Sequence, residues 1–386
     1  MAESRLGSSS RHLFIDVYRT AVILLMLEGH TFRTLLTSDA RGTWLFQIHE
    51  FVHGLSAPAF LFGSGLTFVI STRRRWKEYH RWGTPLARRV NRLLLIALLG
   101  YAIHLPYFSI RKIIIDGSGA DYLQLFQCDV LHCIGIGLLL LHGLVFFFRT
   151  ESRFYGMVLS TIVLVCFLTP LVWDINFLEY LPVPLAQWCN GMHGSPFPLF
   201  PYVGFLFAGV VVSWEFLEAV DMHREKRFML WLLFIGVGVM FTGIVLDLFP
   251  ISLYPHYSYW YTSPNYFLVR TGLLLMLTSG VWYATHRFNQ DQTSATLLGR
   301  ESLFVYVLHL VVLYGSVVNP SLNLQAVIGP SCGILGAAGF FLLLTLTMFV
   351  AAFVWHHLKK RHLTVLRLIQ LGGSAAFLYY FFTNDF

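Results

Sequence analysis

The segment His49-Glu50-Phe51-Val52-His53 sets two imidazoles four residues apart, so on a helix both project from one face with a carboxylate between them. Such a pair can move a proton to or from a hydroxyl or amine, or take an acyl group itself. The same five residues satisfy the His-Glu-x-x-His signature, in which two histidines ligate zinc and the glutamate is a general base. No third ligand stands at a recognisable spacing, although Asp129, His132 or Glu179 could be brought near by folding. A zinc metalloprotease is therefore an alternative to a site without metal.

Other ionisable residues interrupt apolar runs, where they are costly and mark function. Asp16 and Arg19 are three apart and share a helical face. His30 lies close to four turns beyond Asp16, about 21 Å along the axis. His30 can therefore meet His49 and His53 at one depth, while Asp16 and Arg19 belong near the opposite interface. Asp129 and His132 are spaced for an acid–imidazole pair within Cys128-Asp129-Val130-Leu131-His132-Cys133-Ile134-Gly135. Arg270 can neutralise a carboxylate or an anionic acceptor, and His309 follows Gly299-Arg300-Glu301-Ser302, which reads as a helix start. Arg88, Arg89 and Arg92 offer guanidinium forks that suit phosphate.

The elements that position these residues are helices in lipid. Of the 386 residues, 56% are hydrophobic and 12% charged, with a mean hydropathy of +0.63; soluble domains carry about 25% charged residues. Long apolar runs without a ten-residue alternating pattern predict an all-α, polytopic membrane bundle, since each backbone group must be satisfied within its own segment. Spans are expected near 13–36, 50–72, 90–108, 124–148, 155–173, 197–217, 228–249, 264–285, 300–318, 330–355 and 367–383, about eleven in all. The run from Leu13 lacks a small-residue cleavage site, so it reads as the first span rather than a cleaved signal. Basic loops around Arg73–Arg92, His223–Arg227 and Lys359–Arg361 fall on one side, which the positive-inside rule makes cytoplasmic, together with the N-terminus. The stretch from Tyr254 to Tyr266 is expected to cap the outer side. The five cysteines show neither metal nor disulfide spacing. The net charge of +7 sits in short clusters between spans, which suits topology rather than nucleic acid. With no repeat and no linker, residues 1–386 are expected to form a single membrane domain. A solute transporter is the alternative from another class, because intramembrane Asp, Arg and His can relay protons; absent repeats and absent Gly/Pro-broken helix pairs count against it.

The run Ile15-Asp16-Val17-Tyr18-Arg19-Thr20, followed by apolar residues and His30, resembles the opening of the transmembrane acyltransferase superfamily, with Thr20 where a glycine is usual. His53 to Gly65, with Ala57-Pro58 inside it, resembles that superfamily's second helix. Further echoes are Asp129–Gly135, Phe197–Gly204, Ser263-Pro264 with Arg270, and Gly299–His309. The chain is most similar to small bacterial proteins of the heparan-α-glucosaminide N-acetyltransferase-like group. That resemblance implies a bacterial cytoplasmic-membrane enzyme that passes an acyl group, expected to be acetyl, from cytosolic acyl-coenzyme A to a sugar or glycan acceptor at the outer face, with no metal. The family's catalytic histidine falls on His49 or on His53. Arg88, Arg89 and Arg92, with Arg19, would hold the donor's phosphates, and His30, Asp129 and His132 would join the chemistry. Glu50 would orient an imidazole or, with Arg270 and His309, bind substrate. Membrane lipid is an expected partner, and a homodimer is among the expected assemblies.

Overall fold

The computed structural model describes residues 13–249, 254, 258–286 and 293–384. Residues 1–12, and 255–257 of the expected outer cap, lie outside the described residues. In chain order the helices are α1 (Leu13–Leu35), α2 (Ser38–Arg41), α3 (Trp44–His53), α4 (Ser56–Arg73), α5 (Thr84–Ile103), α6 (Ile110–Asp116), α7 (Gly119–Leu125), α8 (Val130–Phe147) and α9 (Glu151–Trp173). They continue as α10 (Val183–Cys189), α11 (Leu199–Asp221), α12 (Glu225–Asp247), α13 (Pro264–Thr285), α14 (Thr293–Arg300), α15 (Ser302–Leu313), α16 (Leu324–Val327), α17 (Ile334–Arg361) and α18 (Leu363–Thr383). Among the described residues the extended pairing is one parallel bridge, Leu36 to Cys332. The protein is thus an all-α, polytopic membrane bundle.

Among the described residues, 8 helices are long and apolar enough to cross a membrane, or 9 with the bent pair α14–α15. The other two expected segments are also helical, but their charges lower their hydropathy: α1 carries Asp16, Arg19, Glu28 and Arg33, and α5 carries Arg88, Arg89 and Arg92. The lipid-like exterior is visible in α18, of whose apolar window only 6% is buried.

Three boundaries differ from expectation for local reasons. The second expected span is two helices, because α3 ends at the cap residue Gly54 and α4 restarts at Ser56. The expected span 124–148 starts only at Val130, where Asp129 caps α8; residues before it form the separate helix α7. The expected span 300–318 is the second arm of a pair bent by 77° at Glu301. The break falls at Glu301, between α14 and α15.

The described residues fall into two compact units. One comprises those of Met1–Ser56 and Gly280–Tyr380, the other those of Ala57–Ser279 and Phe381–Phe386. In the first, α1 is the central element and packs on α3, α14, α15, α16 and α17. Its buried face runs through Phe14, Ile15, Tyr18, Val22, Met26 and Gly29 at helical spacing. The end of α1 is tied to the segment before α17, since Cys332 N–H donates to Leu35 O at 2.8 Å and Thr37 N–H to Cys332 O at 3.0 Å. In the second unit α11 packs on α8, α9 and α12, and α5 on α8. A Cβ on Gly65 would stand 2.0 Å from Leu206 O and one on Gly209 2.0 Å from Phe62 O, so these glycines let α4 and α11 cross backbone to backbone.

Candidate active site

The C-terminal half of α1, the short helix α3 and helix α15 bring four imidazoles together. Thr43 caps α3 through its hydroxyl, which accepts from Phe46 N–H at 3.4 Å. The helical register then lays His49 and His53 on one face, their rings 6.0 Å apart and 10° from parallel. Phe32 and Phe46 clamp the His49 ring at 5.3 and 5.2 Å. Its Nε2 lies 2.9 Å from Glu28 Oε1. His53 is buried and meets His30 edge to face at 5.4 Å. His30 lies 5.3 Å from His309, and its Nδ1 is 2.8 Å from the Tyr314 hydroxyl. His309 is buried, with Nδ1 3.1 Å from Val305 O.

One missing side chain makes this convergence sterically feasible. A Cβ on Gly29 would stand 1.6 Å from His53 Nδ1, so the imidazole occupies the space that any other residue would fill. His53 Nδ1 is buried and has no hydrogen-bond partner among the described residues. A buried, unpartnered ring nitrogen beside three further imidazoles is the arrangement that accepts a proton or an acyl group from a bound substrate.

Glu50, between the two α3 histidines, is held mainly by Arg33, with its Oε1 3.7 Å from His49 Nδ1. Arg33 Nε is 2.9 and 3.0 Å from its two oxygens, and Nη2 also donates to Oε2. Arg41 Nη2 donates to Arg33 O at 2.6 Å, which braces the fork from α2. Among the described residues no three His, Cys, Asp or Glu side chains form a group able to hold a metal ion.

The N-terminal half of α1 carries a second polar cluster. Asp16 is 3% exposed and accepts from Arg300 Nε at 3.1 Å, while Arg19 donates to the Ser302 hydroxyl. Glu301, at the α14–α15 break, is 2.8 Å from His356 Nδ1 and 3.3 Å from Lys359 Nζ. Thr20 Oγ1 accepts from Gly299 N–H at 3.0 Å, so the residue that replaces the usual glycine pins the same break. Asp16 stands about 21 Å and Arg19 about 16 Å along α1 from His30, and both contact this junction rather than the imidazoles.

The remaining predicted residues lie in the second unit. Asp129 and His132 form a capping box: Asp129 Oδ1 accepts from Val130 N–H at 2.5 Å, and Asp129 N–H donates to His132 Nδ1 at 3.1 Å. The expected carboxylate–imidazole contact is thus a backbone-mediated one. His104 Nε2 lies 3.5 Å from Asp129 Oδ2. Arg89 Nε is 3.2 Å from His142 Nε2, and its Nη2 donates to Ser71 Oγ at 2.5 Å. Arg88 and Arg92 are exposed. Arg270 lies 4.0 Å from the Tyr266 ring centre.

Sequence reasoning missed Glu28, Arg33 and Tyr314 at the imidazoles and Arg300, Glu301 and His356 at the junction. A signal existed for Glu28, an ionisable residue directly after the apolar run Leu24–Leu27 and two positions before His30. Tyr314 carried none, because its 284-residue separation from His30 is closed only by folding.

The family model described as heparan-alpha-glucosaminide N-acetyltransferase, catalytic, matches residues 11–242. The match takes in His30, His49, His53, Asp129 and His132, and ends before His309 and Tyr314. A search of curated proteins finds no match.

Proposed function

The chain belongs to the heparan-α-glucosaminide N-acetyltransferase catalytic family, and on that premise we propose that it transfers an acetyl group from acetyl-coenzyme A to an amine or hydroxyl of a sugar at the His30–His53–His309 cluster. The convergence of four imidazoles, with His53 Nδ1 buried and unpartnered, carries the reading. His53 takes the proton from the acceptor as its nitrogen or oxygen attacks the thioester carbonyl; the carbon–sulfur bond breaks and coenzyme A leaves as its thiol after protonation. Tyr314 fixes the His30 ring through Nδ1, which leaves Nε2 to share that proton. The Glu28 carboxylate beside His49 supports positive charge that develops on the paired rings, the role of the third group in a triad.

The donor's phosphates call for cations, and the exposed Arg88 and Arg92 are the guanidinium groups of α5 best able to meet them, Arg89 being engaged by Ser71 and His142. The basic loops support a cytoplasmic N-terminus and donor side, with the acceptor opposite. The test is acetyl transfer from labelled acetyl-coenzyme A to glucosamine by proteoliposomes of the His53→Ala and His49→Ala variants. His53→Ala is expected to lose about 10²-fold or more in rate, and His49→Ala less. Wild-type rates in both would remove the cluster from the chemistry.

A further inference from the structure

The turn between α4 and α5 and the connection between α8 and α9 border a half-open cavity of about 740 Å³, lined by Trp76, His80, Glu151 and the exposed Lys77, Arg81 and Arg149. That is within the range of about 300–1,000 Å³ typical of small-molecule sites. The sequence reading treated Lys77 and Arg81 as topogenic charge. Their arrangement asks for more. The 3-10 turn Trp76–His80 is pinned to the opposite wall by the Trp76 indole N–H, which donates to Arg149 O at 3.4 Å, and the His80 ring meets the Trp76 ring edge to face at 5.6 Å. The walls are therefore held together rather than merely adjacent.

Charge in the cavity is unbalanced. Glu151, its one carboxylate, lies 3.8 Å from Arg73 Nε and so faces a cation outside the cavity. Among the described residues, Lys77, Arg81 and Arg149 have no carboxylate partner, although Arg73 next to them collects Glu151, Glu218 and Asp221. His80 adds a buried Nε2 with no hydrogen-bond partner among the described residues. Burial, and then the Arg149 charge, hold the His80 imidazole below its ordinary value, so the unliganded cavity disfavours one more positive charge.

We infer that this cavity is a binding site for a phosphate-class anion. Three cations without a carboxylate partner among the described residues, and an imidazole, on two pinned walls match the several acceptor oxygens of a phosphate, and guanidinium forks read those oxygens two at a time. Two sources present that chemistry. One is a water-soluble phosphomonoester. The other is an anionic phospholipid headgroup, to which the neighbouring Trp82, 71% exposed, would add an interfacial anchor. The inference concerns binding alone and stands whether or not the chain transfers acetyl groups.

The experiment uses the full chain in nanodiscs, with no acyl donor present. Binding of adenosine 3′,5′-bisphosphate is measured by calorimetry in phosphatidylcholine discs, and retention of phosphatidylglycerol by native mass spectrometry from mixed discs. Each is repeated on Lys77→Gln/Arg81→Gln/Arg149→Gln and on the charge-conserving Arg81→Lys/Arg149→Lys. Removing three charge-assisted contacts should weaken the bound species by about a hundredfold or more, while the lysine variant keeps most of the affinity. Saturable bisphosphate binding lost in the glutamine variant assigns a soluble ligand; lipid retention lost in that variant assigns a headgroup. Binding of neither, or binding of both that the glutamine variant leaves intact, overturns the inference. A readout that needs no variant is amine labelling of Lys77 in the wild-type protein: pyrophosphate or phosphatidylglycerol should slow it, and an unchanged rate with both refutes the site.

Discussion

Replacing Gly29 by alanine separates helix propensity from site geometry, because the two predict opposite signs. Gly29 lies inside α1, where alanine is better than glycine by about 1 kcal/mol; propensity alone predicts a more stable protein with unchanged chemistry. The structure predicts otherwise. The new Cβ would lie 1.6 Å from His53 Nδ1 and 2.2 Å from its Cε1 and Cγ, whereas non-bonded heavy atoms settle at about 3.5–4.0 Å. The ring must move by about 2 Å, and it cannot do so without leaving its contacts with His30 and His49.

A displacement of 1 Å at a reacting group costs about 10²-fold in rate, so Gly29→Ala should lower acetyl transfer by at least that factor. Overpacking of about 1–3 kcal/mol, offset by the propensity gain, leaves the fold nearly as stable as before. Transfer would be assayed in proteoliposomes and stability by denaturant titration in detergent micelles. In a His53→Ala background the clash disappears: Gly29→Ala should then leave the residual rate unchanged and stabilise the protein by about 1 kcal/mol. Transfer by the single variant within a factor of about three of wild type would refute the placement of His53 in the site.

Four further outcomes follow from particular contacts. Tyr314→Phe removes the hydroxyl 2.8 Å from His30 Nδ1, about 1 kcal/mol of hydrogen bonding, so kcat should fall about fivefold with KM unchanged; an unchanged kcat would detach Tyr314 from the mechanism. Glu28→Gln keeps the shape but not the charge beside His49, and kcat should fall about tenfold or more if the carboxylate supports a charged ring; a purely structural role would instead move stability and spare kcat. Asp16→Asn leaves Arg300 without its buried carboxylate and, with that arginine side chain 25% exposed, should lower unfolding stability by about 2 kcal/mol in denaturant titration; an unchanged midpoint would show the pair to be dispensable. His80 is held below its ordinary value by burial and Arg149, so the contribution of its neutral ring to stability is present above about pH 6.5 and lost as pH falls. Lys77 and Arg81 on its own turn, and Arg149 and Glu151 opposite, are the charged groups that line the cavity with it. Sulfate, a dianion throughout this range, should bind the cavity more tightly as pH falls below about 6.5; a flat profile, or the same slope in His80→Asn, would exclude His80.

How much of this was legible depended on how local the cause was. Apolar runs marked the spans because lipid leaves backbone groups no partner outside their own helix. Spacing alone put His49 and His53 on one face, and their near-parallel rings follow from it. Where the sequence misled, a short-range rule had been outweighed by a side-chain or long-range partner. Asp129 and His132 have the spacing of an acid–base pair, but the start of α8 takes them as a capping box. Glu50 completes a zinc signature on paper, yet Arg33, 17 residues upstream, claims its carboxylate. Arg89 stands between two other arginines in sequence and turns inward to His142, 53 residues away.

The two ends of α1 are linked by a physical argument that neither end supplies alone. Buried charges are usually neutral or unfavourable for stability beside well-packed apolar residues, yet Asp16, Arg300, Glu301, His356 and Lys359 gather at the junction of α1, the α14–α15 break and α17. Their use is register. Helix α15 starts at Ser302, immediately after the residue held by His356 and Lys359 and itself bonded to Arg19. His309 follows after about 10 Å of helix at 1.5 Å per residue, and Tyr314 closes the same helix as its cap. A one-residue slip at the break would rotate both side chains by about 100° and take His309 off His30 and Tyr314 off Nδ1. Apolar packing tolerates such slips because it is non-directional, whereas two ion pairs and a hydroxyl bond at fixed positions do not. The charges nearest one end of α1 therefore specify where the imidazole rings stand at the other.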